Sequence, residues 1–292
     1  RLGEVIDPTS ASDDLPQLTD PLVVVAFEGW NDAGDAATGA VEHLELIWDA
    51  KPLAALDPED YYDFQVNRPR MMADNGQRVL RWPTTRVLVA TETGFERDVV
   101  LVQGIEPSMR WRAFSVELLE LAQRLGVTTV VTVGALLADV PHTRPIPVTA
   151  TSDDEAVIHR FDVEGSRYEG PTGIVGVLSH SATEAGVPAL SVWAAVPHYA
   201  GGPPSPKATL ALVRRIESLL GVTVGHGELE ENARAWERGV DELAASDEEV
   251  ADYVRSLEEA QDTAELPEAS GDAIAREFER YLRGRDDEHP PR

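Results

Sequence analysis

The chain is 292 residues long, enough for one large domain or for a domain with an appendage. Its 52 acidic and 25 basic side chains leave a formal charge of −27, which opposes binding to nucleic acid or to an anionic membrane. It contains no cysteine, which removes disulfides, thiolate catalysis and cysteine-ligated metals, and no apolar run reaches the roughly 18 residues of a membrane-spanning helix.

In chain order, residues 1–20 read as a flexible polar arm without hydrophobic period. Leu22-Val23-Val24-Val25-Ala26-Phe27 is a short β-branched run that suits a strand buried on both faces. A Gly-rich turn follows, then a helix over 35–48 with Ala37, Ala40, Val41 and Leu44 near helical spacing. Strands are predicted over 60–65, 78–81, 87–91 and 99–103. A helix over 110–125 ends at Gly126, a residue type that commonly closes helices. Residues 127–133 form the clearest buried strand, followed by a strand over 146–150 and a short helix over 153–159. A helix over 172–186, a strand over 189–195 and an amphipathic helix over 206–220 complete the alternation. Alternating strands and helices predict a mostly parallel sheet covered by helices, an α/β core over residues 21–225.

Composition then shifts. Residues 226–292 hold 21 acids and 8 bases and no strand signal. Leu229, Ala233, Trp236, Val240 and Leu243 recur at spacings of three and four, which a disordered acidic tail would lack. The stretch reads as an acidic helical extension, with helices over 227–244, 247–262 and 270–283. Its apolar stripe needs a surface, on the core or on a neighbouring subunit.

Phosphate-loop, dinucleotide, nucleophile-elbow and His-Glu-x-x-His motifs are absent. Three loop clusters remain, each at a predicted strand end, where ligands bind in open α/β sheets. The first, Glu28-Gly29-Trp30-Asn31-Asp32-Ala33-Gly34-Asp35, crowds carboxylates around a helix start, so it suits a cation, an amine or a partner's arginine. Simple capping by Asn31 or Asp32, with Gly29 and Gly34 shaping the turn, is the favoured reading beside it. The second, Gln103-Gly104-Ile105-Glu106-Pro107, places Glu106 within reach of the first or simply at a fixed turn. The third, Gly134 to Pro145, carries Asp139, His142 and Arg144; His142 reads as an acid–base residue or as a structural histidine. If the loops converge, Glu28, Trp30, Asn31, Asp32, Glu106, His142 and Arg144 make one polar pocket for a ligand or partner. Arg144 is then the counter-charge for its carboxylates. The histidines are scattered, so neither a metal nor another cofactor is expected.

These stretches, from Phe27 to Ala36, Gly104 to Trp111 and Gly134 to Pro145, with Val196-Pro197-His198-Tyr199, resemble the proteasome assembly chaperone family in its actinobacterial branch of uncharacterised proteins. The resemblance covers residues 20–220. It implies a three-layer α/β sandwich of the phosphorylase/hydrolase-like kind, a homo-oligomer with a trimer as the leading state, and a chaperone-like role in protein assembly. Proteasome subunits or another protein would be the partner. Some chaperones of this kind engage proteasome rings through a C-terminal hydrophobic-Tyr-x tail, whereas this chain ends Glu288-His289-Pro290-Pro291-Arg292. Docking by that tail is therefore not expected unless the native chain continues. Without a charged-then-apolar leader after Arg1, a cytoplasmic location is expected. A non-enzymatic interaction protein is the favoured reading. An enzyme of hydrolase or phosphorylase type, acting on a small ligand in a strand-end cleft, stays open beside it.

Overall fold

A computed structural model describes residues 15–74 and 76–263. The elements are β1 (Leu22–Glu28), α1 (Ala36–Ile47), β2 (Lys51–Ala55), α2 (Pro58–Tyr61), β3 (Arg70–Asp74), β4 (Gln77–Arg81), β5 (Arg86–Ala90), β6 (Val99–Ile105) and α3 (Trp111–Arg124). They continue with β7 (Thr129–Ala138), β8 (Val148–Ser152), α4 (Glu155–Phe161), β9 (Glu164–Gly165), α5 (Ile174–Glu184), β10 (Ala189–Pro197), α6 (Pro206–Leu220), α7 (Leu229–Ser246) and α8 (Glu248–Thr263). The helix expected over 270–283 lies outside the described residues.

Eight strands form one sheet in the order β2-β5-β6-β1-β7-β10-β8-β9. Its centre, β6-β1-β7-β10, is parallel, whereas β2 and β5 on one side and β8 on the other join antiparallel. The sheet is mixed: the antiparallel β5 turns back directly into β6, whereas β2 and β8 reach their neighbours through longer connections. β1 shows how the apolar run makes three layers. Leu22, Val24 and Ala26 face α1 and α6, while Val23, Val25 and Phe27 face α3 and α5. Both sets are buried, so a continuous hydrophobic run serves better than alternation. The molecule is a three-layer α/β sandwich. Beyond it, α7 packs on α6 and α8 on α7.

Residues 60–65 are not a strand. Pro58 opens α2, and the Asp57 carboxylate accepts the Glu59 N–H at 2.9 Å, so a capped turn replaces the extended run. β2 and β3 were not expected from the sequence. β3 and β4 pair only with each other, as a hairpin outside the main sheet. Of the N-terminal arm, residues 15–20 are described: Leu15 and Leu18 pack against the core, and the Thr19 N–H donates to Asp98 at 2.6 Å.

Candidate functional site

The parallel centre of the sheet delivers the loops after β1, β6, β7 and β10 to one edge. Glu28 ends β1 with an exposed side chain, and Gly29 turns the chain at φ 117. Asn31 and Asp32 then dive into the protein, where the Ala135 N–H of β7 donates to the Asn31 carbonyl at 2.8 Å. The Asp32 carboxylate accepts the backbone N–H groups of Ala37 and Thr38 at 2.6 and 3.2 Å, together with the Thr38 hydroxyl. It satisfies the orphan donors that open α1. Burial pushes the Asp32 carboxyl up to about 6, against those hydrogen bonds, which favour the charged form.

Glu106 follows β6 and extends the pairing with β1, its N–H donating to the Glu28 carbonyl at 2.9 Å. One oxygen of its carboxylate accepts both the Asn31 side-chain amide at 2.8 Å and the Ile174 N–H at 3.0 Å. Ile174 begins α5, so Glu106 places a negative charge at that helix's positive end. The approach is close: a side chain at Gly173 would put its Cβ 2.2 Å from the Asn31 side-chain amide oxygen Oδ1. Only glycine allows the α5 start to meet the β1 loop there.

The third loop has other partners. The buried His142 ring lies between the Tyr199 hydroxyl, 2.7 Å from Nδ1, and Asp241 of α7, 3.0 Å from Nε2. The hydroxyl also accepts the His142 backbone N–H at 2.7 Å, so its own proton is free to point at Nδ1 and the ring proton faces Asp241. Burial pushes the Tyr199 hydroxyl up to about 12 and keeps it a donor. Lys207 of α6 links the His142 carbonyl to Glu237 of α7. Arg144 pairs with Glu258 at 3.1 Å and Asp262 at 2.8 Å, both on α8, and holds Asp262 below the usual carboxylate range. Asp139 meets His198 at 3.2 Å and accepts the Tyr253 hydroxyl at 3.1 Å.

The structure thus joins Asn31 to Glu106 side chain to side chain, with Asp32 alongside. His142 and Arg144 turn instead to α7 and α8. Arg144 does not serve as counter-charge to Glu28 or Glu106, because α8 brings it two carboxylates of its own. Sequence reasoning missed Tyr199 as the His142 partner and the acidic pairs Glu237/Asp241 and Glu258/Asp262. Each pair is spaced by four, which places both members on one helix face and could have flagged a docking edge. Trp30, half-buried, lines an open cleft of about 620 Å³ with Trp193, Tyr168, Thr149, Ser191 and His180. Among the described residues no group of three or more His, Asp or Glu side chains is placed to hold a metal ion, and no helix is long and apolar enough to cross a membrane.

Comparison with known proteins finds the same fold elsewhere. The model of the PAC2 family matches residues 26–244. A PAC2 family protein from Streptomyces avermitilis is 59% identical, over 80% of this chain and 100% of that one, with a TM-score of 0.76. A proteasome-assembly chaperone homologue from Mycobacterium tuberculosis is 52% identical, over 80% of this chain and 99% of that one, with a TM-score of 0.73. An archaeal proteasome activator from Pyrococcus furiosus shares the fold at 19% identity, over 79% of this chain and 96% of its own, with a TM-score of 0.63. No curated protein matches the chain.

Proposed function

The chain belongs to the PAC2 family, and from that premise we propose that it is a non-enzymatic interaction protein that assists protein assembly, acting as a cytoplasmic homo-oligomer. The observation that carries the reading is its likeness to the Mycobacterium tuberculosis proteasome-assembly chaperone homologue, 52% identical over 99% of that chain. Proteasome subunits are accordingly the partner to test first, and a trimer is the leading assembly. The chemistry of the strand-end loops agrees with this. Asp32 and Glu106 hold helix starts, and His142 has a partner on each ring nitrogen, so these groups stabilise the fold and frame a surface. A net charge of −27 favours basic partners and speeds their encounter.

One observation favours a second reading, an enzyme or binder acting on a small ligand. The cleft beside Trp30 has aromatic walls and several hydroxyls, the mixture that small-molecule sites use. The two readings separate in one experiment. The purified chain is mixed with proteasome α and β subunits, and the rate of ring assembly is followed by native gel. Faster assembly with co-migration of this chain supports the chaperone reading. No co-migration, together with a metabolite that native mass spectrometry finds on wild type but not on Trp193→Ala, replaces it with the second. Neither signal refutes both.

A further inference from the structure

The hairpin β3–β4 is at odds with the rest of the molecule. It pairs with no strand of the main sheet, and nine of its ten strand residues are exposed, Val79 being half-buried. A lone two-stranded hairpin is marginal in water and needs a surface to rest on. Residues 66–82 also carry five large exposed apolar side chains, including Val66 at 75%, Met71 at 53% and Leu80 at 44%. Met71 lies directly across from Leu80, so these two share one face of the ribbon.

Charge distinguishes it further. The same seventeen residues hold four arginines and one aspartate, a local charge of +3 in a chain of −27. Arg70 stands directly opposite Arg81. Like charges in that position repel at a Cβ separation of about 5 Å. Among the described residues neither arginine has an ion-pair partner, nor have Arg68 and Arg78. The sequence has twice as many acids as bases, yet none among the described residues answers this ribbon's cations.

The complementary surface lies at the other end of the same chain. Residues 229–263 hold twelve acids and three bases. Those that dock α7 and α8 are already paired, but the corner between the helices exposes Glu242, Glu248 and Glu249 without cationic partners among the described residues, around Leu243 at 52% exposure. Arg70 and Arg81 stand on the other face of the ribbon, together with Met72, and that face of arginines and an exposed methionine matches a carboxylate corner bearing a leucine. We infer that β3–β4 is an arm that docks on the α7–α8 corner of a second copy of this chain. The contact joins two different surfaces, so its repetition from copy to copy gives a ring where the rotation closes and an open chain where it does not. This deepens the homo-oligomer reading above and gives it a mechanism.

The test is light scattering on the whole chain across micromolar concentrations, at about 50 mM and about 500 mM salt, where screening differs strongly. Three variants are compared with wild type: Arg70→Glu with Arg81→Glu, Glu242→Arg with Glu249→Arg, and all four together. Wild type should be an oligomer that weakens with salt. Each double reversal should weaken assembly by about tenfold or more, as loss of a close interfacial charge pair does. The fourfold swap should recover it, which a merely misfolded variant could not do. A wild type that stays monomeric overturns this inference and the homo-oligomer reading together. An oligomer indifferent to Arg70→Glu/Arg81→Glu overturns the arm alone. Failure of the helix reversal to weaken assembly, or of the fourfold swap to restore it, overturns the assigned docking surface.

Discussion

Two polar networks stand at the same end of the sheet and hold it by opposite means. At the ends of β1 and β6, Asp32 and Glu106 take backbone N–H groups and an amide, with no cation in the network. After β7, His142 and Arg144 reach charged side chains 99 to 118 residues away, on helices laid over the core. The carboxylates differ as much: Asp32 is buried, whereas the Asp241 and Asp262 side chains are 55% and 58% exposed. A buried donor that loses its acceptor cannot turn to water, while an exposed ion that loses its partner can. The first network should therefore govern global stability. The second should govern only where the C-terminal helices lie.

The largest effect expected from this contrast is at Glu106. Glu106→Ala strands the Asn31 amide and the Ile174 N–H together, and two stranded donors at about 2 kcal/mol each give a loss of about 4 kcal/mol. Glu106→Gln keeps the shared acceptor oxygen and should lose less than half as much. Urea unfolding measures both. Equal losses would mean that the charge at the start of α5, rather than the hydrogen bonds, is what matters.

Asp32 gives the next effect, and pH reveals it. Its carboxyl titrates at about 6 in the folded chain against an ordinary 3.8. Between those values the unfolded chain has released the proton that the folded chain still holds. Rising pH therefore favours unfolding across that window, by about 3 kcal/mol in full, and the penalty is constant above it. Asp32→Asn keeps an acceptor for Ala37 and Thr38 but does not titrate. The difference between wild-type and Asp32→Asn stability should fall from pH 4 to 6 and then level. A flat difference would show that the carboxylate is ionised at lower pH than its burial implies.

How far these networks were legible in the sequence follows from how local they are. The run Leu22 to Phe27 announced β1, and the helix expected over 206–220 is α6, closed by Gly221 with φ 67. A cap for α1 at Asn31 or Asp32 was readable because its donors lie five and six residues on. Glu106 meeting Asn31 required only the rule that parallel strands share an end. The Arg144 partners were not readable, since they depend on how α7 and α8 fold back over the core. The hairpin β3–β4 was half seen: β4 was expected, but Met71-Met72-Ala73 in β3 has no alternation because neither face is buried.

Arg144 gives the smallest global effect and the most specific one. Its guanidinium bridges Glu258 and Asp262 from a surface where solvent and salt compete for every charge. Arg144→Ala should leave the urea midpoint unchanged, because no donor is stranded away from water. What it releases is the last two turns of α8, whose described contacts with the core loop here are Arg144 and the neighbouring Thr143 hydroxyl on Glu258. Amide hydrogen exchange should accelerate over residues 256–263 and stay unchanged over α7, which His142 and Lys207 hold separately. Concentrated salt should produce the same local pattern in wild type and add little in Arg144→Ala. Acceleration spreading through α7 would mean that the two helices detach as one unit; no acceleration at all would mean that packing of α8 on α7, rather than the ion pairs, fixes its place.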